Sequence, residues 1–152
     1  MRYSRLVLML LGFAVALCAA DPYVGTWKMD AAKTKFKLGT APKEQTVTIT
    51  DAGSDTNVAI AGTAADGTKI ALSYTIPTAG GTGKIESPLY DGIASKFMGP
   101  NERVVLYQKN NITIYTAHSK VSADGNFLSV QTKGMNLSGK HVDATVVYDK
   151  QK

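Results

Sequence analysis

Residues 141–148 read His-Val-Asp-Ala-Thr-Val-Val-Tyr, with an apolar or aromatic side chain at every second position from Val142 to Tyr148. Such alternation predicts a β-strand that has one buried and one solvated face. The same pattern recurs along the chain, at Val47/Ile49, Val58/Ile60, Ile70/Leu72/Tyr74/Ile76, Ile112/Ile114 and Leu128/Val130. The chain is therefore predicted to form a sheet with one apolar face.

Short alternating segments bounded by turn residues predict about ten strands, at 23–29, 44–50, 57–62, 69–76, 83–86, 94–98, 103–109, 112–120, 127–133 and 140–148. Links such as Asp66-Gly67 and Asp124-Gly125 are typical of tight hairpins, so neighbouring strands are expected to pair antiparallel. A continuous meander with one apolar face closes most simply as an up-and-down barrel. The predicted fold is an all-β antiparallel barrel of about eight to ten strands.

Three segments interrupt this pattern. Residues 30–43 contain alternating lysines followed by Gly39 and Pro42, and we expect an irregular or briefly helical excursion there. Residues 87–92 form a second break, and the glycine-rich residues 80–83 are interpreted as a turn.

Residues 1–20 have the anatomy of a signal peptide. Arg2 and Arg5 precede an apolar run over 6–20, after which polar sequence returns. The run is shorter than the roughly 20 apolar residues that a membrane-spanning helix requires. We therefore expect cleavage after Ala20 and export to the periplasm or the cell exterior.

The predicted mature domain covers 21–152 and is one domain by size. Removal of Cys18 with the signal peptide leaves the mature domain without cysteine, so no disulfide is expected. Cys18 also offers a second route, in which a lipid is attached to it as a new N-terminal residue. Leu17 disfavours that route, because lipoprotein signals usually carry a small residue at this position.

The charge pattern argues against two classes of partner. The chain has 17 basic and 12 acidic residues, and the lysines are scattered rather than clustered. Arg103 is the only arginine of the predicted mature domain, whereas phosphate recognition relies on arginine contacts. We therefore expect neither a nucleic-acid partner nor a stable membrane span after the signal peptide.

The two ends of the mature chain carry a family resemblance. Residues 23–29 read Tyr-Val-Gly-Thr-Trp-Lys-Met, and the chain closes on Tyr148-Asp149-Lys150 near its end. The Gly25-x-Trp27 start resembles the calycin superfamily, which includes lipocalins and fatty-acid-binding proteins. Both ends look most like small secreted bacterial lipocalin-like proteins of that superfamily. The resemblance implies a lipocalin-like barrel that binds a small molecule.

The resemblance also implies roles for single residues. Trp27 would plug one end of the barrel, and Gly25 would let the strand bend. Lipocalins pack an arginine over this tryptophan, and here a lysine or Arg103 would have to replace it. Fatty-acid-binding proteins hold the ligand carboxylate with an arginine and a tyrosine of the last strand. Val146 replaces that arginine and only Tyr148 matches, so a fatty acid is disfavoured and a more neutral ligand is favoured.

The sequence carries no recognisable catalytic motif. It lacks Gly-x-Ser-x-Gly, His-Glu-x-x-His and a Walker loop. His118 and His141 fall on separate predicted strands with no third ligand evident, so we expect no metal and no cofactor. An enzyme is therefore the least favoured functional class.

Two other classes remain. The first is a carrier whose barrel holds a small apolar ligand, with predicted contacts from Ile70, Leu72, Tyr74, Ile114, Val130, Val146 and Tyr148. The second is a filled structural barrel that acts through its surface in protein–protein interaction at the cell envelope. Barrels of about eight strands occur in both forms. The sequence leaves the ligand, the oligomeric state and the emptiness of the interior open.

Overall fold

The computed structural model describes residues 19–152. The predicted signal peptide therefore lies outside the described residues apart from Ala19 and Ala20, and Cys18 lies outside them too. Twelve strands make up the described part: β1 Gly25–Met29, β2 Lys35–Leu38, β3 Glu44–Ala52, β4 Asp55–Thr63, β5 Lys69–Pro77, β6 Gly81–Thr82, β7 Lys84–Glu86, β8 Gly92–Gly99, β9 Glu102–Lys109, β10 Ile112–Val121, β11 Phe127–Met135 and β12 His141–Lys150. Residues 19–152 contain no helix long and apolar enough to cross a membrane.

The strands form one antiparallel sheet in the order β6-β8-β9-β10-β11-β12-β1-β3-β4-β5-β7, and β2 pairs with β12. Most strands that are neighbours in the sheet are also consecutive in the sequence, because tight hairpins connect them. The hairpins β3–β4 and β4–β5 pair along their whole length without a register shift. The first strand joins the last, with Trp27 opposite Lys150. This pairing brings the first and last described strands together and wraps the sheet into a barrel.

The barrel closes where the two end strands of the sheet, β6 and β7, follow each other in the chain. Gly83 joins them, and its N–H donates to the carbonyl of Ile93 at 2.9 Å. The Ser95 hydroxyl on β8 donates to the carbonyl of Pro77 on β5 at 3.3 Å. The sheet is therefore nearly closed, and its two end strands are short, with two residues in β6 and three in β7.

The all-β antiparallel barrel predicted from the sequence is confirmed, with differences in detail. Residues 19–152 form twelve strands rather than eight to ten. Residues 35–38, expected to be irregular or helical, form β2, because alternating side chains let this segment pair with β12 at Phe36 and Ala144. Within the predicted turn 80–83, Gly81 and Thr82 form β6 and pair with Ser95 and Ala94.

One end of the barrel is filled by aromatic and aliphatic side chains. Trp27 is fully buried, and its Nε1 donates to the carbonyl of Tyr23 at 2.8 Å. The hydroxyl of Tyr23 donates to the carbonyl of Ser119 at 2.8 Å. This end is called the floor. The opposite end, where Glu44 pairs with Thr63 and Met135 with His141, is called the mouth.

Candidate ligand-binding site

The barrel contains a cavity of about 210 Å³ above the floor. Its wall is mostly apolar, because every second residue of each strand points inward. Three connecting loops surround its opening at the mouth, and they contribute Thr40, Pro42, Ala64, Ala65, Asn136, Leu137 and Ser138. The cavity is thus closed at the floor and accessible between the loops at the mouth.

Alternation on β9 and β10 supplies much of one wall. Arg103, Val105 and Tyr107 are buried and line the cavity, while their neighbours along β9 are more exposed. On β10 a register shift between Thr113 and Tyr115 inserts a bulge. Such a bulge re-aims the following side chains, and Tyr115 turns into the cavity as a result.

Tyrosine rings meet across this wall. Tyr107 is at the centre of the group, with its ring centroid 5.6 Å from that of Tyr74, 5.0 Å from that of Tyr90 and 5.2 Å from that of Tyr115. The Tyr74 and Tyr107 rings are nearly perpendicular, at 86°. Edge-to-face pairs of this kind are stabilising beyond the area that they bury. The four rings form a rigid aromatic wall that we call the tyrosine wall.

The phenol groups of the wall are neutral at ordinary pH. Burial raises the pKa of Tyr115 to about 12. Burial, followed by the proximity of Tyr74, holds the pKa of Tyr107 well above its usual value. Each hydroxyl therefore keeps its proton and can act as a hydrogen-bond donor.

Several phenol protons around the cavity, in the tyrosine wall and at Tyr148, are already committed to protein acceptors. The Tyr148 hydroxyl donates to Oε1 of Gln45 at 2.5 Å, and the Tyr90 hydroxyl donates to the carbonyl of Met135 at 2.8 Å. The Tyr107 hydroxyl donates to the hydroxyl of Tyr74 at 3.1 Å. These bonds fix the orientation of the rings before any ligand arrives.

Arg103 is the only charged side chain among the described residues that line the cavity. Its Nη2 lies 3.0 Å from Oδ2 and 3.2 Å from Oδ1 of Asp21, and its guanidinium lies 3.7 Å from the ring centroid of Tyr23. Both charged side chains are largely buried. The charge of Arg103 is therefore neutralised at the floor, and the cavity carries no net charge.

Six of the seven residues predicted as ligand contacts line the cavity: Ile70, Leu72, Tyr74, Val130, Val146 and Tyr148. Ile114 is not among the lining residues. It is half-buried against the apolar cluster around Tyr107, because the bulge on β10 gives the inward position to Tyr115. The same shift leaves Ile112, predicted on the apolar face, 66% exposed.

The structure places the two predicted plug residues at the floor. Trp27 lies beneath the cavity, and Nζ of Lys150 is 5.0 Å from its ring centroid. A lysine therefore covers Trp27, whereas the guanidinium of Arg103 lies over Tyr23. Gly25 has a φ of 143°, and a Cβ there would overlap Cε of Lys150. The glycine therefore makes room for the lysine to cross the tryptophan.

Sequence reasoning missed much of the tyrosine wall and the floor. Tyr90, Tyr107 and Tyr115 were not among the predicted contacts, and neither was the Arg103–Asp21 pair. Alternation of Arg103, Val105 and Tyr107 was a usable signal for β9. No local signal marks Tyr90, which lies in a connecting loop, or Asp21, which precedes β1.

The histidines lie apart from the cavity. His118 is on the outer face of β10, where its Nε2 is 2.6 Å from Oε1 of Glu102, and His141 is exposed at the start of β12. Within residues 19–152, no three histidine, cysteine, aspartate or glutamate side chains are grouped as a metal site requires. Neither His118 nor His141 lines the cavity.

No protein-family model matches the sequence, and no curated protein is similar to it. Among solved structures, the chain is similar to zebrafish ileal bile acid-binding protein in complex with cholic acid, with 11% sequence identity and a TM-score of 0.49. The alignment covers 86% of this chain and 99% of that chain. The strand order and register establish the barrel independently of this similarity, and membership of the bacterial lipocalin-like group stays a prediction.

Proposed function

We propose that the protein binds a small apolar molecule inside the barrel. The observation that carries this proposal is the cavity of about 210 Å³, with its mostly apolar wall and its opening at the mouth. Protein interiors are normally close-packed, with few voids larger than a water molecule. An apolar cavity of about 150 Å³ is already large enough to bind benzene. A cavity of about 210 Å³ therefore suits a compound of one to three rings.

The polar groups around the cavity support the same proposal. Binding sites for small molecules combine an apolar lining with a few fixed polar groups that orient the ligand. Here Gln45, Tyr74 and Tyr148 are such groups, and hydrogen bonds between side chains hold them in place. Preorganised groups do not have to be ordered when the ligand binds, which favours affinity.

The first experiment is native mass spectrometry of the mature protein purified from its own host, followed by organic extraction of anything that co-purifies. We expect a stoichiometric apolar compound, or entry of the neutral dye N-phenylnaphthylamine with a rise in its fluorescence. A clean apo mass together with exclusion of the dye would refute the carrier function. The outer surface of the barrel would then become the candidate for function.

A matched pair of variants tests whether the dye enters the cavity. Ala117 is buried and lines the cavity, whereas Ala59 is exposed on the outer face of β4. Ala117→Phe adds a ring inside the barrel and is expected to abolish dye binding. Ala59→Phe adds the same ring outside and is expected to leave it intact. Equal binding by both variants would place the dye on the outer surface.

We propose further that the protein works after export. The support is the order of Arg2, Arg5 and the apolar run 6–20, followed by polar sequence. N-terminal sequencing of the protein from the periplasmic or secreted fraction is expected to begin at Asp21. A retained signal sequence in the cytoplasmic fraction, or a lipid mass on Cys18, would contradict this processing.

A further inference from the structure

The cavity does not offer a free positive charge to an anionic ligand. Arg103 is the one charged group among its described lining residues, and Asp21 holds that guanidinium at 3.0 Å. Val146 is buried in the last strand and supplies no charge of its own. A carboxylate in this cavity would be desolvated without an unpaired cation to receive it, which is costly. The occupant is therefore expected to be uncharged.

Tyr74 is a polar group of the tyrosine wall whose proton remains available to such an occupant. It accepts the hydrogen bond from Tyr107 at 3.1 Å, and within the described residues it donates none. A phenol has one proton to donate, and a buried donor without an acceptor is destabilising. Tyr74 lines the cavity, so its hydroxyl can donate this proton to a ligand that the cavity holds. A ligand oxygen with free lone pairs satisfies it.

The shape of the wall indicates a ring compound. Tyr74, Tyr90, Tyr107 and Tyr115 are locked against one another at centroid distances of 5.0–6.2 Å, which leaves a rigid aromatic surface. Planar rings pack well on such surfaces by offset stacking or edge contacts. The volume of about 210 Å³ is below the roughly 300–1,000 Å³ of pockets for drug-sized ligands. The ligand is accordingly small.

We propose that the cavity selects a small, uncharged ring compound whose carbonyl oxygen accepts the hydrogen bond that Tyr74 donates. This inference rests on the proposed function and deepens it by naming the ligand class. The carbonyl oxygen is a strong acceptor and carries no charge, so it satisfies the tyrosine without requiring a counter-ion.

Three probes of equal ring size test the proposal: acetylnaphthalene, ethylnaphthalene and naphthoate, substituted at the same ring carbon. Their affinities for the mature protein are measured by displacement of N-phenylnaphthylamine. We expect the ketone to bind about 3- to 10-fold more tightly than the hydrocarbon, which is the range of one net hydrogen bond. Naphthoate is expected to bind more weakly than either at neutral pH.

Two variants separate the roles of the hydroxyls. Tyr74→Phe is expected to remove the preference for the ketone over the hydrocarbon while the hydrocarbon still binds. Tyr148→Phe removes a hydroxyl whose proton is committed to Gln45. It is expected to shift the affinities for the ketone and the hydrocarbon by the same factor, so the preference survives.

The outcomes distinguish this inference from the proposed function. Equal binding of ketone and hydrocarbon by the unmodified protein, or a preference that survives Tyr74→Phe, overturns the role of Tyr74 and leaves the carrier function standing. Naphthoate binding as tight as that of the ketone overturns the uncharged class and points to Arg103 instead. Exclusion of the dye and of all three probes refutes the carrier function, and the ligand class with it.

Discussion

The guanidinium of Arg103 lies 3.0 Å from the carboxylate of Asp21, although the two residues are 82 positions apart. Their side chains are 9% and 18% exposed. The pair ties β9 to the segment that leads into β1, directly beneath the cavity. It thus holds the floor of the barrel together and removes a free charge from the site.

Loss of this pair is expected to destabilise the fold. Arg103→Met leaves the largely buried carboxylate of Asp21 without its partner, and we expect the free energy of unfolding to fall by about 2–3 kcal/mol. Arg103→Lys keeps the charge but loses the planar group above Tyr23, so its effect should be smaller. Urea denaturation measures the free energy of unfolding of both Arg103 variants. Lys120→Met, at an exposed position of β10, is the control, and equal midpoints for Arg103→Met and Lys120→Met would contradict the prediction.

High pH is expected to unfold the barrel through its tyrosines. Burial raises the pKa of all six tyrosines among the described residues, with Tyr115 at about 12 against an ordinary value of 10.0. A raised pKa in the folded state means that the stabilisation is complete below the unfolded pKa and disappears as pH rises through the folded one. Stability should therefore be level below about pH 10 and should fall above it.

A spectrophotometric titration checks this prediction. Phenolate absorbance of the native protein should appear at higher pH than that of the protein unfolded in urea, and it should coincide with loss of structure measured by circular dichroism. Native phenolate absorbance that rises at the same pH as in the unfolded chain would contradict it.

The bulge on β10 depends on a glycine in the neighbouring strand. Gly134 has a φ of 119°, and a Cβ at this position would overlap the carbonyl oxygen of Ile114. Gly134→Ala is therefore expected to lower the free energy of unfolding by about 2 kcal/mol or more and to displace Tyr115 from the cavity. Thermal or urea denaturation and dye binding measure the two effects.

Gly125→Ala is the matched control for that change. Gly125 also has a positive φ, 73°, but a Cβ there meets open space. Gly125→Ala should lower the free energy of unfolding by about 1 kcal/mol, because alanine disfavours this backbone conformation. It should leave dye binding unchanged. If Gly134→Ala and Gly125→Ala lower the free energy of unfolding equally, the close approach of the Gly134 backbone to Ile114 does not support the bulge.

Trp27 provides an internal reporter of the floor. It is the single tryptophan of the chain and is fully buried, so its emission should be blue-shifted and resistant to acrylamide quenching. Lys150→Met removes the cation above the Trp27 ring, and we expect the free energy of unfolding, measured by urea denaturation, to fall by about 0.5–1 kcal/mol. Lys152→Met, at the exposed C-terminus, should have no effect. Strong quenching of the native protein would show that the floor is open to water.

Local alternation was enough to predict the inward faces of the regular strands. Val142, Val146 and Tyr148 on β12 are all buried, as the pattern of residues 141–148 predicts. This works because the side-chain direction in a strand has a period of two, and that period depends only on the backbone of the strand itself. The same alternation failed at Ile112 and Ile114, where the bulge interrupts the period.

The sequence by itself determined the fold class, the antiparallel meander and most of the residues that face the interior. Only the tertiary structure decided that an open volume remains inside the barrel, that Tyr74 meets Tyr107, and that Asp21 neutralises Arg103. The physical reason is that these three features depend on strand register and on how the sheet closes. They arise from contacts between residues distant in sequence, which no local pattern of side chains encodes.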